Sequence, residues 1–215
     1  MVLGMRTRLI AIGFTATALA GVLTACGSET VVVPTAMPMM TTASPSATAN
    51  TRADDIAFSQ LMIEHHQQAI EMANMALSQA DSNGVKDLAD QVREAQDPEI
   101  NTMREWLTSW GAPEVMNGHD MSHGSTGTDG ADSADMTGLG MMTTADMETL
   151  SGLSGPGFDR LWLQMMIQHH EGAISMARTV LATTNDSGVK TLAQNIIDGQ
   201  SVEIATMKNL QTNGE

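Results

Sequence analysis

Residues 60–106 and 164–210 are two copies of one sequence, related by a shift of 104 positions without a gap. Compared position by position, 20 of the 47 pairs are identical, and each copy keeps two consecutive histidines. Such self-similarity at a fixed shift indicates a structural unit that occurs twice. The chain must therefore fold in a way that accommodates two similar units and buries the apolar surface of both.

Each copy has the pattern of two helices joined by a tight turn. Asp54 or Asp55 in the first copy and Asp159 in the second are expected N-caps. Pro98 predicts a kink or a break within the second helix. The four helices are predicted at about 55–80, 85–110, 158–183 and 189–210. Because a lone hairpin cannot hide its apolar face, the sequence predicts an all-α, four-helix bundle made of two duplicated hairpins.

Composition divides the chain into three parts. Residues 1–25 have the pattern of an export signal, and residues 26–52 are rich in Thr, Ser and Pro, which predicts a disordered tether. The bundle domain spans 53–212. It consists of hairpin one (53–111), a long crossover expected to be largely irregular (112–156) and hairpin two (157–212).

The N-terminal segment predicts export followed by lipid attachment. Arg6 and Arg8 precede an apolar run over 9–23, and Leu-Thr-Ala stands directly before Cys26, the only cysteine. This order resembles a bacterial lipobox, whose cysteine is lipidated after cleavage; an ordinary signal peptide is the alternative. The expected location is the cell membrane, with the protein lipid-anchored outside the cytoplasm.

Charge and cysteine content exclude several classes of function. Ten Lys and Arg face 25 Asp and Glu, which gives a formal net charge of −15 and argues against nucleic acid as a partner. A single cysteine excludes an internal disulfide framework and a zinc site built from cysteines.

A Met-x-x-His-His pattern, with another methionine seven residues after the first histidine, occurs in both copies. On a helix, His66 lies near the centre of the apolar face, whereas His65 lies on its flank beside Met62 and Met72. The matching residues of the second copy are Met166, His169, His170 and Met176. Buried histidines need partners, so either they hold the hairpins in register or, with the thioethers, they ligate a metal.

The second helix of each hairpin adds polar residues on the side expected to face the interior. Gln96, Glu99 and Met103 share that side, and Gln200, Glu203 and Met207 repeat them. The methionines could complete a metal site. The glutamates and glutamines could instead accept hydrogen bonds from the imidazoles, and so either orient metal ligands or simply stabilise the fold.

Ligand softness points to copper. Thioether and imidazole together favour copper, Cu(I) in particular, over hard cations such as Mg²⁺. A di-iron centre in a bundle needs Glu-x-x-His, but Met62 and Met166 occupy the position three before the first histidine of each pair. The crossover also alternates soft ligands at His119, Met121 and His123, which suggests a capture arm. It continues with Met136, Met141, Met142 and Met147, and the tether contributes Met37, Met39 and Met40. Segments as polar as these are not expected to have a core, so core packing does not explain their methionines.

These repeated motifs resemble the bacterial family known as domain of unknown function 305. The resemblance covers about 53–212 and rests on the paired histidines, Ala-Ile-x-Met-Ala and Gln-x-x-Glu-Ile-x-x-Met. It implies a ferritin-like four-helix fold in exported, often lipid-anchored proteins, some associated with copper tolerance. The residues that carry over are Met62, His65, His66, Met72, Glu99 and Met103, with Met166, His169, His170, Met176, Glu203 and Met207. Glu64 and Glu71 become Gln168 and Ser175, so the halves need not bind alike.

The sequence thus predicts a protein that sequesters copper or transfers it to another copper-handling protein without transforming a substrate. Two other classes stay open. One is a ferritin-like oxidoreductase containing iron or manganese, and the other is a structural or partner-binding bundle without metal. The sequence has no Ser-His-Asp arrangement, phosphate-binding glycine loop or cysteine nucleophile in the mature domain.

Overall fold

The computed structural model describes residues 45–115 and 138–213, and these residues form helices without any strand. Four long helices and one short one follow each other along the chain. They are α1 (Pro45–Gln79), α2 (Asn83–Trp110), α3 (Thr144–Ser151), α4 (Gly155–Thr183) and α5 (Ser187–Asn213). The predicted all-α class is confirmed, with each copy of the repeat forming one long hairpin, α1 with α2 and α4 with α5.

The turn chemistry between α1 and α2 explains where α2 begins and ends. The Ser82 hydroxyl accepts a hydrogen bond from the backbone N–H of Val85, which caps the first turn. Gly111 ends the helix with φ of 67°, a left-handed conformation that glycine adopts without strain. Between these ends the helix continues through Pro98, so the predicted break does not occur.

The two hairpins meet along α1 and α4, which run antiparallel. The rings of His65 and His169 lie 3.7 Å apart, and the indole N–H of Trp162 donates to the carbonyl oxygen of Met72 at 2.9 Å. Met72 lies seven residues after His65, and its partner Trp162 lies seven residues before His169. The two helices therefore run in opposite directions. This arrangement places the middle of both helices, where the histidine pairs lie, at the centre of the molecule.

Helix α1 begins at Pro45, although residues up to 52 were predicted to belong to the tether. Proline is well suited to the first turn of a helix, and Arg52 gives this extension a tertiary partner. Its guanidinium lies 4.3 Å from the Trp110 ring and 3.4 Å from a carboxylate oxygen of Asp186. Composition alone predicted disorder because these distant partners are not visible in the local sequence.

The predicted N-caps Asp55 and Asp159 are both buried inside helices rather than at their ends. Asp159 does act as a cap, but for the other hairpin. Its carboxylate accepts from the backbone N–H groups of Asp81 and Ser82, at 3.1 and 2.9 Å, where α2 begins. Asp159 therefore links the two hairpins. Residue spacing along one helix could not predict this contact.

The end of the crossover is ordered by the bundle, contrary to the prediction of an irregular segment. Thr143 and Asp146 form a capping box that starts α3. Met141 and Met142 are buried, and Met147 packs against the core. These three methionines thus fill core space, so the prediction that core packing could not explain them was wrong.

Within the residues that the structure describes, no helix combines the length and apolarity needed to cross a bilayer.

Candidate metal centre

The register of each hairpin is set by a hydrogen bond between a buried histidine and a partly exposed glutamate. The Nε2 of His66 lies 2.7 Å from Oε2 of Glu99, and the Nε2 of His170 lies 2.7 Å from Oε2 of Glu203. The two bonds join equivalent residues of the two repeats. They agree with the prediction that these glutamates accept from the imidazoles, whether the histidines serve as ligands or as structural groups.

This register brings two thioethers opposite each other in both hairpins. One turn before His66 is Met62, and one turn after Glu99 on the antiparallel α2 is Met103. Both methionines are fully buried in one apolar cluster. In hairpin two, Met166 and Met207 hold the equivalent positions and are also fully buried.

The third methionine of each group comes from the other hairpin. Met176 of α4 belongs to the cluster of Met62 and Met103, while Met72 of α1 belongs to the cluster of Met166 and Met207. The sequence had grouped Met72 with His65 and Met176 with His169. Two helical turns separate the members of each pair, about 10 Å along the axis, and the antiparallel crossing of α1 and α4 carries them towards opposite ends. The structure therefore groups the thioethers across the hairpins.

Between the two methionine groups, His65 and His169 stack in the interior. Their ring centroids are 3.7 Å apart with an interplanar angle of 39°, and both residues are at most 1% exposed. The Nε2 of His65 lies 3.0 Å from the carbonyl oxygen of Leu139. Because a carbonyl oxygen can only accept, Nε2 carries the proton and Nδ1 of His65 keeps its lone pair.

Both stacked histidines are neutral at physiological pH. Burial, followed by the neighbouring His66, lowers the pKa of His65 from 6.5 to about 3. Burial, followed by the neighbouring His65, holds the pKa of His169 well below its usual value. Neutral imidazoles are the form that ligates metals, and they also avoid placing two charges in one apolar interior.

The lowered pKa of His65 predicts acid-sensitive stability of the metal-free protein. The unfolded chain binds this proton below about pH 6.5 but the folded chain only near pH 3, so acidification favours unfolding. At pH 5 His65 alone should cost ~2 kcal/mol of unfolding free energy relative to pH 7.5, since each pKa unit is worth ~1.4 kcal/mol. Urea unfolding in chelator at both pH values measures it. His65→Gln should lose that share of the dependence; an unchanged dependence would refute the assignment.

Several buried polar atoms around the histidines have no hydrogen-bond partner among the described residues. They are Nδ1 of His65, His66 and His170, both ring nitrogens of His169, both amide atoms of Gln96 and Oε1 of Gln200. Such atoms typically cost ~1–3 kcal/mol each. The two glutamines were predicted to accept from the imidazoles, but the glutamates have that contact. The described part of the interior therefore contains imidazole nitrogens whose lone pairs accept no hydrogen bond.

The donor set of the described residues is soft. No three His, Cys, Asp or Glu side chains converge as metal ligands within 45–115 and 138–213. Met62 and Met166 lie one helical turn before His66 and His170, on the same faces of α1 and α4. Thioether sulfur with imidazole nitrogen suits Cu(I) and poorly suits hard cations.

Several predicted site residues lie outside the described residues. They are Cys26, His119, Met121 and His123, together with the methionines at 37, 39, 40 and 136.

Comparison with known proteins places the chain in a family. The model of the domain of unknown function 305 (DUF305) matches residues 55–211, nearly the whole helical domain. The chain belongs to the DUF305 family. No curated protein is significantly similar to it.

Solved DUF305 structures share the fold. A candidate secreted DUF305 protein from Streptomyces coelicolor is 29% identical, with a TM-score of 0.64 over 74% of this chain and 93% of that one. A DUF305 fragment from Deinococcus radiodurans is 27% identical, with a TM-score of 0.63 over 74% and 96%. CopM in its Cu(II)-bound form is 30% identical, with a TM-score of 0.59 over 75% and 97%. CopM is also known in Cu(I)-bound, silver-bound and apo forms.

Sequence reasoning missed one part of the centre in this DUF305 protein, namely the carbonyl oxygen of Leu139 and the residues that hold it. Gln68 bonds both backbone groups of Met142, and Gly172 lies directly under Leu139. A signal was available, because positions 68 and 172 are equivalent in the repeat yet differ between glutamine and glycine.

Proposed function

We propose that this protein is a copper-binding lipoprotein outside the cytoplasm, which sequesters Cu(I) or passes it to another protein and does not transform a substrate. The observation that carries the proposal is the set of buried imidazoles whose Nε2 atoms are hydrogen-bonded and whose Nδ1 atoms have no partner in the described part of the chain. His65, His66 and His170 all share this state. Metal-ligating histidines characteristically donate through one ring nitrogen to a carbonyl or carboxylate and ligate through the other.

The surroundings of these nitrogens support copper over other metals. Met62 and Met103 lie one helical turn from the His66–Glu99 bond, and Met166 and Met207 lie one turn from the His170–Glu203 bond, so sulfur and nitrogen donors would be near each other. Glu99 and Glu203 would hold the rings in place and make them more basic by accepting their N–H. Similarity to CopM adds weight, because the match covers 97% of the CopM chain at 30% identity and CopM has been solved with Cu(I), Cu(II) and silver bound.

The N-terminal sequence supports the proposed location. Cys26 follows Leu-Thr-Ala after a basic and apolar segment, and a lipid at that residue would hold the domain at the membrane surface. Cys26→Ser should move the protein from the membrane fraction to the soluble fraction of disrupted cells. Continued sedimentation with membranes would contradict lipid anchoring without affecting the copper proposal.

Metal competition tests the function. The purified mature chain, with Cys26→Ser for solubility, is equilibrated anaerobically with equal concentrations of Cu(I), Fe(II) and Mn(II), and the metal retained after desalting is measured by mass spectrometry. We expect copper to be retained and iron and manganese to be lost. Retention of iron or manganese in place of copper would favour the oxidoreductase class, and retention of no metal would favour a structural or partner-binding bundle. Either result would overturn the proposal.

A further inference from the structure

Residues 139–142, which we call the strap, are held on α1 by hydrogen bonds from two side chains, His65 at Leu139 and Gln68 at Met142. The amide Nε2 of Gln68 donates to the carbonyl oxygen of Met142 at 2.9 Å, and the backbone N–H of Met142 donates to Oε1 of Gln68 at 2.7 Å. One glutamine therefore satisfies both backbone groups of a buried residue. This clamp determines where the rest of the strap lies.

The strap crosses α4 at a position that only glycine allows. A Cβ on Gly172 would overlap the carbonyl oxygen of Leu139 and lie 3.0 Å from Cα of Gly140. Gly140 itself has φ of 82°, which a residue with a side chain rarely adopts. The strap thus approaches the backbone of α4 far more closely than any other residue type at 172 would permit.

Gln68 and Gly172 are the same position in the two repeats, since they are 104 residues apart. In the first copy Gln68 binds the strap, and in the second copy Gly172 leaves space for the strap to pass. As a result, His65 and His169 differ in their hydrogen bonds. The strap gives Nε2 of His65 a hydrogen bond to Leu139. Among the described residues neither ring nitrogen of His169 has a bond of that geometry, and its polar neighbour is the backbone of His65.

The stacked pair does not suit a single shared ion. Two imidazoles on one ion, with metal–nitrogen bonds of about 2 Å, hold their ring centroids about 5 Å or more apart. The centroids of His65 and His169 are 3.7 Å apart. An ion bound by His65 and an ion bound by His169 would therefore be separate, one on each side of the contact between the hairpins.

We infer that the strap makes the two halves unequal as soft-metal sites, with Gln68 as the positioning residue that gives hairpin one the tighter site. This inference rests on the proposed function. The bond to Leu139 presets the ring of His65 and its tautomer, so that only Nδ1 is offered to the ion. A preset ligand loses less freedom on binding, and a ring that donates to a carbonyl is a more basic ligand. Among the described residues His169 has no hydrogen bond to the strap.

The tautomer of His65 tests the positioning role without any metal. In the ¹⁵N-labelled, metal-free mature chain at pH 7.5, long-range ¹H–¹⁵N spectra should show His65 only with its proton on Nε2. Gln68→Ala should release the strap and give exchange between both tautomers, while Gln67→Ala, at the exposed neighbouring position, should match the parent chain. An unchanged His65 signal in Gln68→Ala would overturn the role of the strap.

Copper affinity tests the inequality of the sites. Cu(I) is titrated anaerobically against a chromophoric chelator, with His119→Gln, Met121→Leu and His123→Gln in every chain so that the His119–His123 stretch contributes no ligand. We expect two binding steps. Gln68→Ala should weaken the tighter step by about tenfold and leave the other unchanged. Tenfold is the lower end of the affinity loss seen when a hydrogen-bond partner of a metal ligand is removed. Gln67→Ala should change neither step.

The outcomes separate the inference from the function on which it rests. Two equal steps in the parent chain, or equal weakening of both steps by Gln68→Ala, would overturn the inequality while leaving copper binding intact. If no Cu(I) binds at all, the proposed function fails. The tautomer measurement would then still decide whether Gln68 positions His65.

Discussion

Met62→Leu combined with Met103→Leu should weaken Cu(I) binding in hairpin one by at least about a hundredfold. These two thioethers face each other across α1 and α2, one turn from the His66–Glu99 bond, and both are fully buried. Removal of a residue that only hydrogen-bonds a metal ligand costs about 10–100-fold in metal affinity. Removal of two sulfur atoms that bind the metal directly should cost no less. Leucine replaces methionine at nearly equal volume, so the unfolding free energy should change by less than ~1.5 kcal/mol for each substitution.

A matched pair of substitutions separates sulfur ligation from core packing. Met75 and Met165 pack in the core, with Met165 only 6% exposed, but neither belongs to the predicted ligand set. Met75→Leu with Met165→Leu should leave Cu(I) affinity within about twofold of the parent chain, because it removes the same atoms elsewhere in the bundle. Equal affinity losses in both double variants, measured by chelator competition, would show that the sulfurs of Met62 and Met103 are not ligands.

Gly172→Ala should destabilise the metal-free protein by ~2–3 kcal/mol, the upper range for overpacking a well-filled site. The new methyl group would meet the backbone of Leu139 rather than a flexible side chain, so either the strap or α4 must move. Movement of the strap would also break the bond between Leu139 and His65. Urea unfolding in the presence of chelator measures the loss.

Gly199→Ala is the control for this change. Gly199 also lies within a long helix, but a Cβ there would have no neighbour within 4 Å. Alanine is favoured over glycine in an open helical position by ~0.5–1 kcal/mol, so this variant should be slightly more stable than the parent. If Gly172→Ala were as stable as Gly199→Ala, the close passage of the strap over α4 would be wrong.

The duplication made most of the fold predictable. Two similar segments, each with a turn sequence between helical stretches, specify two hairpins that must cover each other's apolar faces, and α1, α2, α4 and α5 follow that plan. Local signals were less informative about the ends. The start of α1 depends on Arg52 meeting Trp110 and Asp186, which are far away in sequence.

Within the site, contacts inside one hairpin were predictable and contacts between hairpins were not. The His66–Glu99 and His170–Glu203 bonds follow from helical spacing and from antiparallel register. Whether Met72 belongs with His65 or with Met166 depends on how α1 crosses α4, and no pattern along one helix contains that angle. The strap was missed because its contribution is a backbone carbonyl, which carries no side-chain signature.

Copper X-ray absorption of the Cu(I)-loaded mature chain tests the central claim most directly, when His119, Met121 and His123 have been replaced as above. The chain should still retain two copper ions, and each should show sulfur and nitrogen scatterers together in its first shell of neighbours. The sulfur signal should fall when Met62 and Met103 are leucine and remain when Met75 and Met165 are leucine. A spectrum without sulfur neighbours, or no copper retained once the crossover ligands are gone, would contradict a soft-metal centre inside the helical bundle.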